Sequence, residues 1–252
     1  MKSVLMMEMT TDEVKEYLLR EETVMMPVGS CEQHGSYAPL GTDSFITQEI
    51  SQRVGEKLGI VVTPMIPVGL SDQHLAWPGT LSLSIGTITN ILTDYVDSLF
   101  SHGFRKFLLH YFHTKNKIAV DAAAWKIKKR YGDKIKILVV NSFASWSACS
   151  GQIFGEEHDT LWTAHGGEGE VSCLEALGWR IKNSKIPERI ENSEFLNKSR
   201  NPEVYAIIQN LKKYTPAGVW GEASGTSREE GEKIFEIVST HLAKLIPAQW
   251  EE

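Results

Sequence analysis

A chain of 252 residues, 42% hydrophobic and 23% charged, is long enough for one sizeable core and too ordinary in composition for a disordered or collagenous polymer. Its formal net charge of -6 comes without a basic stripe or a Lys/Arg cluster interleaved with aromatics, so the chain lacks the electrostatic footprint of a nucleic-acid binder. No apolar run approaches the roughly 18 residues that span a bilayer, and Met1 to Thr11 lacks the apolar core and cleavage site of a signal peptide.

In chain order, Thr11 and Glu13 ahead of a Val14, Tyr17, Leu18 stripe predict a capped amphipathic helix. Thr23 to Val28 is a short Val/Met-rich run ended by Gly29, the pattern of a buried strand. Ser44 to Leu58 carries helical spacing at Ile46, Ile50 and Val54 and closes on Gly59; Ile60 to Val68 then reads as a second buried strand. Helix and strand alternate again over Thr87–Phe100 and Lys106–Tyr111, and over Lys117–Tyr131 and Ile135–Asn141. Gly169–Leu177 and Glu229–Leu245 read as further helices. The alternation predicts an α/β class, a single three-layer α/β/α domain over 1–252 with a mostly parallel central sheet. Functional loops then gather beyond the carboxyl ends of the strands. Asn183 to Pro216 is polar and broken by Pro187, Pro202 and Pro216, and is expected to be a surface excursion rather than a second domain. Cys31, Cys149 and Cys173 are odd in number and far apart, which argues against a disulfide framework and points to a reducing, cytoplasmic setting.

The loop after the first strand, Pro27 to Asp43, holds Glu32, His34 and Asp43 among Gly29, Gly35, Pro39 and Gly41. Glu32 and His34 are two apart, which in extended backbone sends both side chains to one side. Asp43 stands just before a helix, where a carboxylate either caps the N-terminus or bridges two cations. Carboxylate and imidazole together suit Zn, Mn or Fe.

This segment resembles the signature of the creatininase (creatinine amidohydrolase) family, roughly P-V-G-S-x-E-Q-H-G-x-x-L-P-x-x-T-D, with Ala38 replacing the Leu before Pro39. The resemblance continues in Gly69-Leu-Ser-Asp-Gln-His-Leu-Ala-Trp-Pro-Gly-Thr80, in His165-Gly-Gly-Glu-Gly-Glu-Val-Ser172 and in Gly218-Val-Trp-Gly221. It implies two adjacent divalent metal ions, Zn and/or Mn with Fe as a further option. By position, Glu32 would bind one, His34 the other, and Asp43 would bridge them. His113 matches the histidine of an N-G-H-G-G-N block that here reads Tyr111-Phe-His-Thr-Lys-Asn116. Creatininase itself has a glutamate ligand where this chain has Lys115, so the resemblance moves the missing carboxylate to Glu170, with Glu168 as second choice. Lys115 is then either a cation that anchors substrate or a solvated loop residue. His110, three residues before His113 on a strand, would face the other way and is expected to be a packed histidine.

His165 matches the family's catalytic histidine, a group that titrates near neutral pH and can pass a proton to the leaving group; Glu168 is a further catalytic candidate. Trp146 and Trp162 are candidates for substrate contact or plain core. His74 and Trp77 would shape the pocket floor or a subunit contact. The implied activity is hydrolysis of a small cyclic amide or other non-peptide C–N bond. Alternatives are a formamide-type group, a cyclic inositol-derived ketone, or a non-catalytic metal-binding role. The implied partners are a small-molecule substrate, with no nucleic acid and no membrane, and further copies of the chain in a homo-oligomer, possibly a hexamer.

Overall fold

The computed structural model describes residues 3–155, 164–187 and 209–250. Four strands form one parallel sheet in the order β2-β1-β3-β4: β1 is Thr23–Val28, β2 Val61–Val62, β3 Lys106–Tyr111 and β4 Lys136–Asn141. β1 and β3 pair in register from Thr23–Lys106 to Val28–Tyr111, and β3 and β4 from Lys106–Lys136 to Tyr111–Asn141. Both faces of β1 are buried, which explains its uninterrupted apolar run.

The two-residue alternation of the strands sorts the core into two layers. Met25, Val62, Leu108 and Val140 face α2 (Thr42–Leu58), α5 (Ser142–Ala148), α6 (Ser150–Phe154), α7 (Glu168–Ala176) and α8 (Arg228–Trp250). Val24, Met26, Val28, Phe107, Leu109 and Tyr111 face α1 (Thr11–Leu18), α3 (Ile85–His102) and α4 (Asn116–Tyr131). The result is the three-layer α/β/α arrangement with a parallel sheet.

Several boundaries moved. The second strand shrinks from Ile60–Val68 to Val61–Val62, because Pro64 and Pro67 remove ladder donors and leave only an isolated bridge between Val28 and Ile66 beyond it. The cap of α1 is Thr10, one residue earlier than expected: its side chain accepts from the Glu13 N–H, while the Glu13 carboxylate accepts the Thr10 N–H at 2.7 Å. α5 and α6 had no counterpart in the periodicity, since Ser and Ala dominate the first and the second is only five residues long. α8 runs on through Pro247 to Trp250, beyond the expected Leu245. Most of the expected 183–216 excursion lies outside the described residues.

Candidate metal centre

The carboxyl ends of β1 and β3 open into two loops that one side chain holds together. Asn116, fully buried, donates from Nδ2 to the Val28 and Gly29 carbonyls and accepts the Leu70 N–H at 2.9 Å. Ser44 closes the β1 loop onto α2, accepting the Ser30 N–H at 3.0 Å and donating to the Ser30 carbonyl at 2.8 Å. The Glu32 N–H donates to the Leu40 carbonyl, so the loop doubles back and presents Glu32 and His34 next to Asp43. Asp43 does not cap α2: its N-cap is Gly41, and the carboxylate turns toward two imidazoles.

Glu32, His34, Asp43, His113 and Glu170 converge, each less than a tenth exposed. His113 lies with Nε2 3.3 Å from Glu32 Oε2 and Nδ1 3.3 Å from Asp43 Oδ2. His34 Nε2 lies 3.8 Å from Asp43 Oδ1 and 3.5 Å from Glu170 Oε2. The donor atoms form three groups compact enough for a cation: Glu32–Asp43–His113, His34–Asp43–Glu170 and Glu32–His34–His165. Asp43 belongs to the first two. His34 Nδ1 sits 3.1 Å from the Glu32 carbonyl and donates to it, which leaves Nε2 as the lone-pair nitrogen facing the cluster. His113 Nε2 likewise donates to the Leu70 carbonyl at 3.0 Å, leaving Nδ1 toward Asp43.

The electrostatics of the cluster are those of a shell short of positive charge. Burial pushes Glu32 up to about 7, with the Asp43 charge reinforcing it against His113. Burial and the Asp43 charge hold Glu170 well above the usual carboxylate range. For Asp43 burial works in the same direction, yet His34 and His113 outweigh it and hold its carboxyl low. Burial opposes charge on His113, but Glu32 and Asp43 raise it to about 9. Three carboxylates crowded away from water are poorly balanced by imidazoles alone. Glu32 Oε2, His34 Nε2 and Asp43 Oδ2 are moreover buried without a hydrogen-bond partner. Orphaned acceptors on a mixed carboxylate–imidazole set fit divalent Zn or Mn ions, whose charge relieves the crowding and whose coordination satisfies the lone pairs.

The wall around the cluster consists of Gln73, His74, Phe112, Thr114, Phe143, His165 and Trp220 beside the acidic ligands. His165 stacks on Trp220 at 4.6 Å between centroids and meets His34 in a tilted contact at 4.1 Å. A larger groove of about 450 Å³, lined by Trp125, Ile137, Val139 and Trp250, lies away from the cluster, so cavity size does not locate the chemistry.

The other candidates from the sequence fall elsewhere. Trp146 is fully buried in the core, stacked on Phe112 at 5.4 Å, and does not line the cavity. Lys115 is half-buried at the N-cap of α4 and is also absent from the wall, where its neighbour Thr114 stands instead. Glu168 opens α7 facing Gly225 and Glu230, and burial raises it to about 7; it joins none of the three groups. Trp162 lies outside the described residues. His110 is buried against Ser51 on the sheet face, as its strand position implied. The sequence reading missed Gln33, Phe143 and Trp220. Trp220 stood in view inside Gly218-Val-Trp-Gly221, but nothing in that block showed that it would stack on His165.

The family model described as "Creatininase: Creatinine amidohydrolase" matches residues 7–246. The creatinine amidohydrolase of Pseudomonas putida is 27% identical over 262 residues, covering 97% of this chain and 96% of the relative. The 3-dehydro-scyllo-inosose hydrolase of Thermotoga maritima is 27% identical over 257 residues, covering 94% and 81%. A solved structure described as "Creatininase Mn" superposes with a TM-score of 0.82 at 25% identity, covering 98% of each chain. Another, a mutant creatininase of Zn-Zn type, superposes with a TM-score of 0.80 at 26% identity, covering 99% of each chain.

Proposed function

Because the chain belongs to the creatinine amidohydrolase family, we propose that its buried cluster hydrolyses the C–N bond of a small cyclic amide of the creatinine type. The protein is a metal-dependent hydrolase. One observation carries the reading: two compact donor groups share a single carboxylate, Asp43, which is the arrangement two neighbouring cations need. Glu32 and His113 would complete one site, His34 and Glu170 the other. Bound there, two divalent ions would polarise a carbonyl oxygen and lower the pKa of water.

The chain's own groups do the rest. Phe112, Phe143 and Trp220 exclude bulk water from the cavity wall. His165, packed against His34 and stacked on Trp220, would carry a proton to the departing nitrogen. A cyclic ketone of the kind named for the Thermotoga relative is the second substrate class. A cation that anchors a polyhydroxylated substrate would favour it, and Lys115, the candidate for that role, is not in the wall.

The test is metal analysis followed by turnover of creatinine and of cyclic ketones. Two divalent ions per chain, turnover of the amide, and a folded but inactive Glu32→Gln variant are expected. Unchanged turnover in Glu32→Gln would remove the cluster from the chemistry.

Assembly with a second copy is part of the same reading. β4 is an edge strand among the described residues, and Trp125 beside it is 77% exposed. Asp121 and Lys128 stand two turns apart on α4 along the same groove, so a two-fold axis near Trp125 would set each Asp121 opposite Lys128 of the partner subunit. Light scattering should give a multiple of 28.3 kDa, with Trp125→Glu reducing it; a monomeric native protein overturns this. No helix among the described residues is long and apolar enough to cross a membrane. The three cysteines are unpaired, which supports a reducing, cytoplasmic setting.

A further inference from the structure

Gln33 lies between two ligand candidates in sequence, but its side chain points away from them into a knot of donors and acceptors. Its Oε1 accepts the Gly35 N–H at 2.9 Å, and this fixes which end of the carboxamide is nitrogen. Nε2 then lies 2.7 Å from the Gly218 carbonyl, 2.8 Å from His74 Nδ1 and 3.1 Å from His165 Nε2. An amide nitrogen has two hydrogens for these three neighbours.

The choice is settled by the backbone. His165 Nε2 is also 2.8 Å from the Gln33 carbonyl oxygen, which can only accept. That nitrogen must therefore carry a hydrogen and cannot accept one from Gln33. The two carboxamide hydrogens go to the Gly218 carbonyl and to His74 Nδ1. His74, accepting at Nδ1, carries its own hydrogen on Nε2, 3.6 Å from Glu32 Oε1; the Gln73 carboxamide 3.2 Å from that nitrogen then turns its oxygen to accept this hydrogen. His165, donating from Nε2, turns Nδ1 toward the same oxygen at 3.6 Å.

We propose that Gln33 is a positioning residue that sets the tautomer of His74 through its carboxamide and that of His165 through its backbone carbonyl, leaving Nδ1 of His165 as the nitrogen that exchanges a proton with substrate. This rests on the reading of His165 as the proton-carrying group. Gly218 belongs to the same device: its φ is +86°, and a Cβ there would stand 2.0 Å from Gln33 Oε1, so any side chain displaces the carboxamide.

The test uses the zinc-loaded protein, with ring nitrogens labelled with ¹⁵N and His74 and His165 assigned from their Gln substitutions. The native spectrum is expected to show hydrogen on Nε2 of both rings. In Gln33→Met, with zinc content and melting temperature retained, His74 should become a mixture of tautomers. The hydrogen of His165, held by the backbone carbonyl that Met retains, should stay on Nε2. Gly218→Ala should give the same His74 mixture, and the double variant should shift it no further than either single one. A native spectrum with the hydrogen of His165 on Nδ1 overturns the proposal without any variant having to fold, as does a folded Gln33→Met protein with an unchanged His74 tautomer. If His165→Gln keeps native turnover while the native tautomers are as stated, it is the role of His165 that fails and not the device that orients it.

Discussion

His110 makes the folded protein sensitive to acid through a group remote from the metal chemistry. It is fully buried on β3, where Ser51 Oγ lies 2.7 Å from Nδ1 and Nε2 has no hydrogen-bond partner. Burial depresses its pKa from 6.5 to about 3. The unfolded chain therefore binds a proton between those values that the folded chain refuses, and stability falls as pH drops below 6.5. From pH 7 to pH 5 the loss is about 2 kcal/mol, and it approaches about 5 kcal/mol once the pH reaches the folded value. His110→Leu removes the titration at similar volume, and Ser51 keeps a partner in the Thr47 carbonyl at 2.8 Å. Urea unfolding of both proteins at pH 7 and pH 5, under identical metal loading, isolates the term, because the acid sensitivity of the metal cluster is common to both. The variant should lose about 2 kcal/mol less than the native protein over that interval. Equal losses would show that His110 is not held neutral by its surroundings.

The remaining expectations concern the cluster and its neighbours. Chelation should lower the melting temperature, with restoration on adding Zn or Mn, because ions that bind only the folded chain stabilise it by mass action; an unchanged melting temperature would mean that the orphaned acceptors hold nothing. Asp43→Asn should cost both metals, whereas Glu170→Gln should cost one, as read by metal content per chain. Trp146→Ala should destabilise by about 3–5 kcal/mol through the cavity it leaves, while Trp146→Phe should keep KM; a large KM rise in the Phe variant would return Trp146 to the substrate. Lys115→Met should leave KM for creatinine within about twofold, as for surface changes that touch no special contact.

The layered α/β frame was legible because buried parallel strands and amphipathic helices write different periods into the chain, as Thr23–Val28 and Ile46, Ile50, Val54 do. Glu32, His34 and Asp43 were legible because they stand within one short loop. Their convergence with His113 and Glu170 follows from strand order, which periodicity does not carry. Trp146 stood open between substrate contact and plain core because α5, the mostly Ser and Ala helix that turns it into the core, was unread. Gln33 escaped notice because its role depends on three groups as far away in sequence as Gly218. Lys115 drew attention as a charge in a ligand position, yet the start of α4 carries it out of the cavity wall.

Glu170 sits in the first turn of α7 and accepts the Gly166 N–H at 2.8 Å, and α7 packs along α8. The other four ligand candidates all precede residue 114. The centre thus acts as a rivet between the sheet's amino-terminal half and the carboxyl-terminal helical layer. A chain whose fifth ligand stood at position 115 would bind both ions without involving that layer. Here, an ion held by Glu170 would join docking of α7 and occupancy of the second site in one equilibrium, so losing that ion would loosen the hold of α7 on the loop after β1.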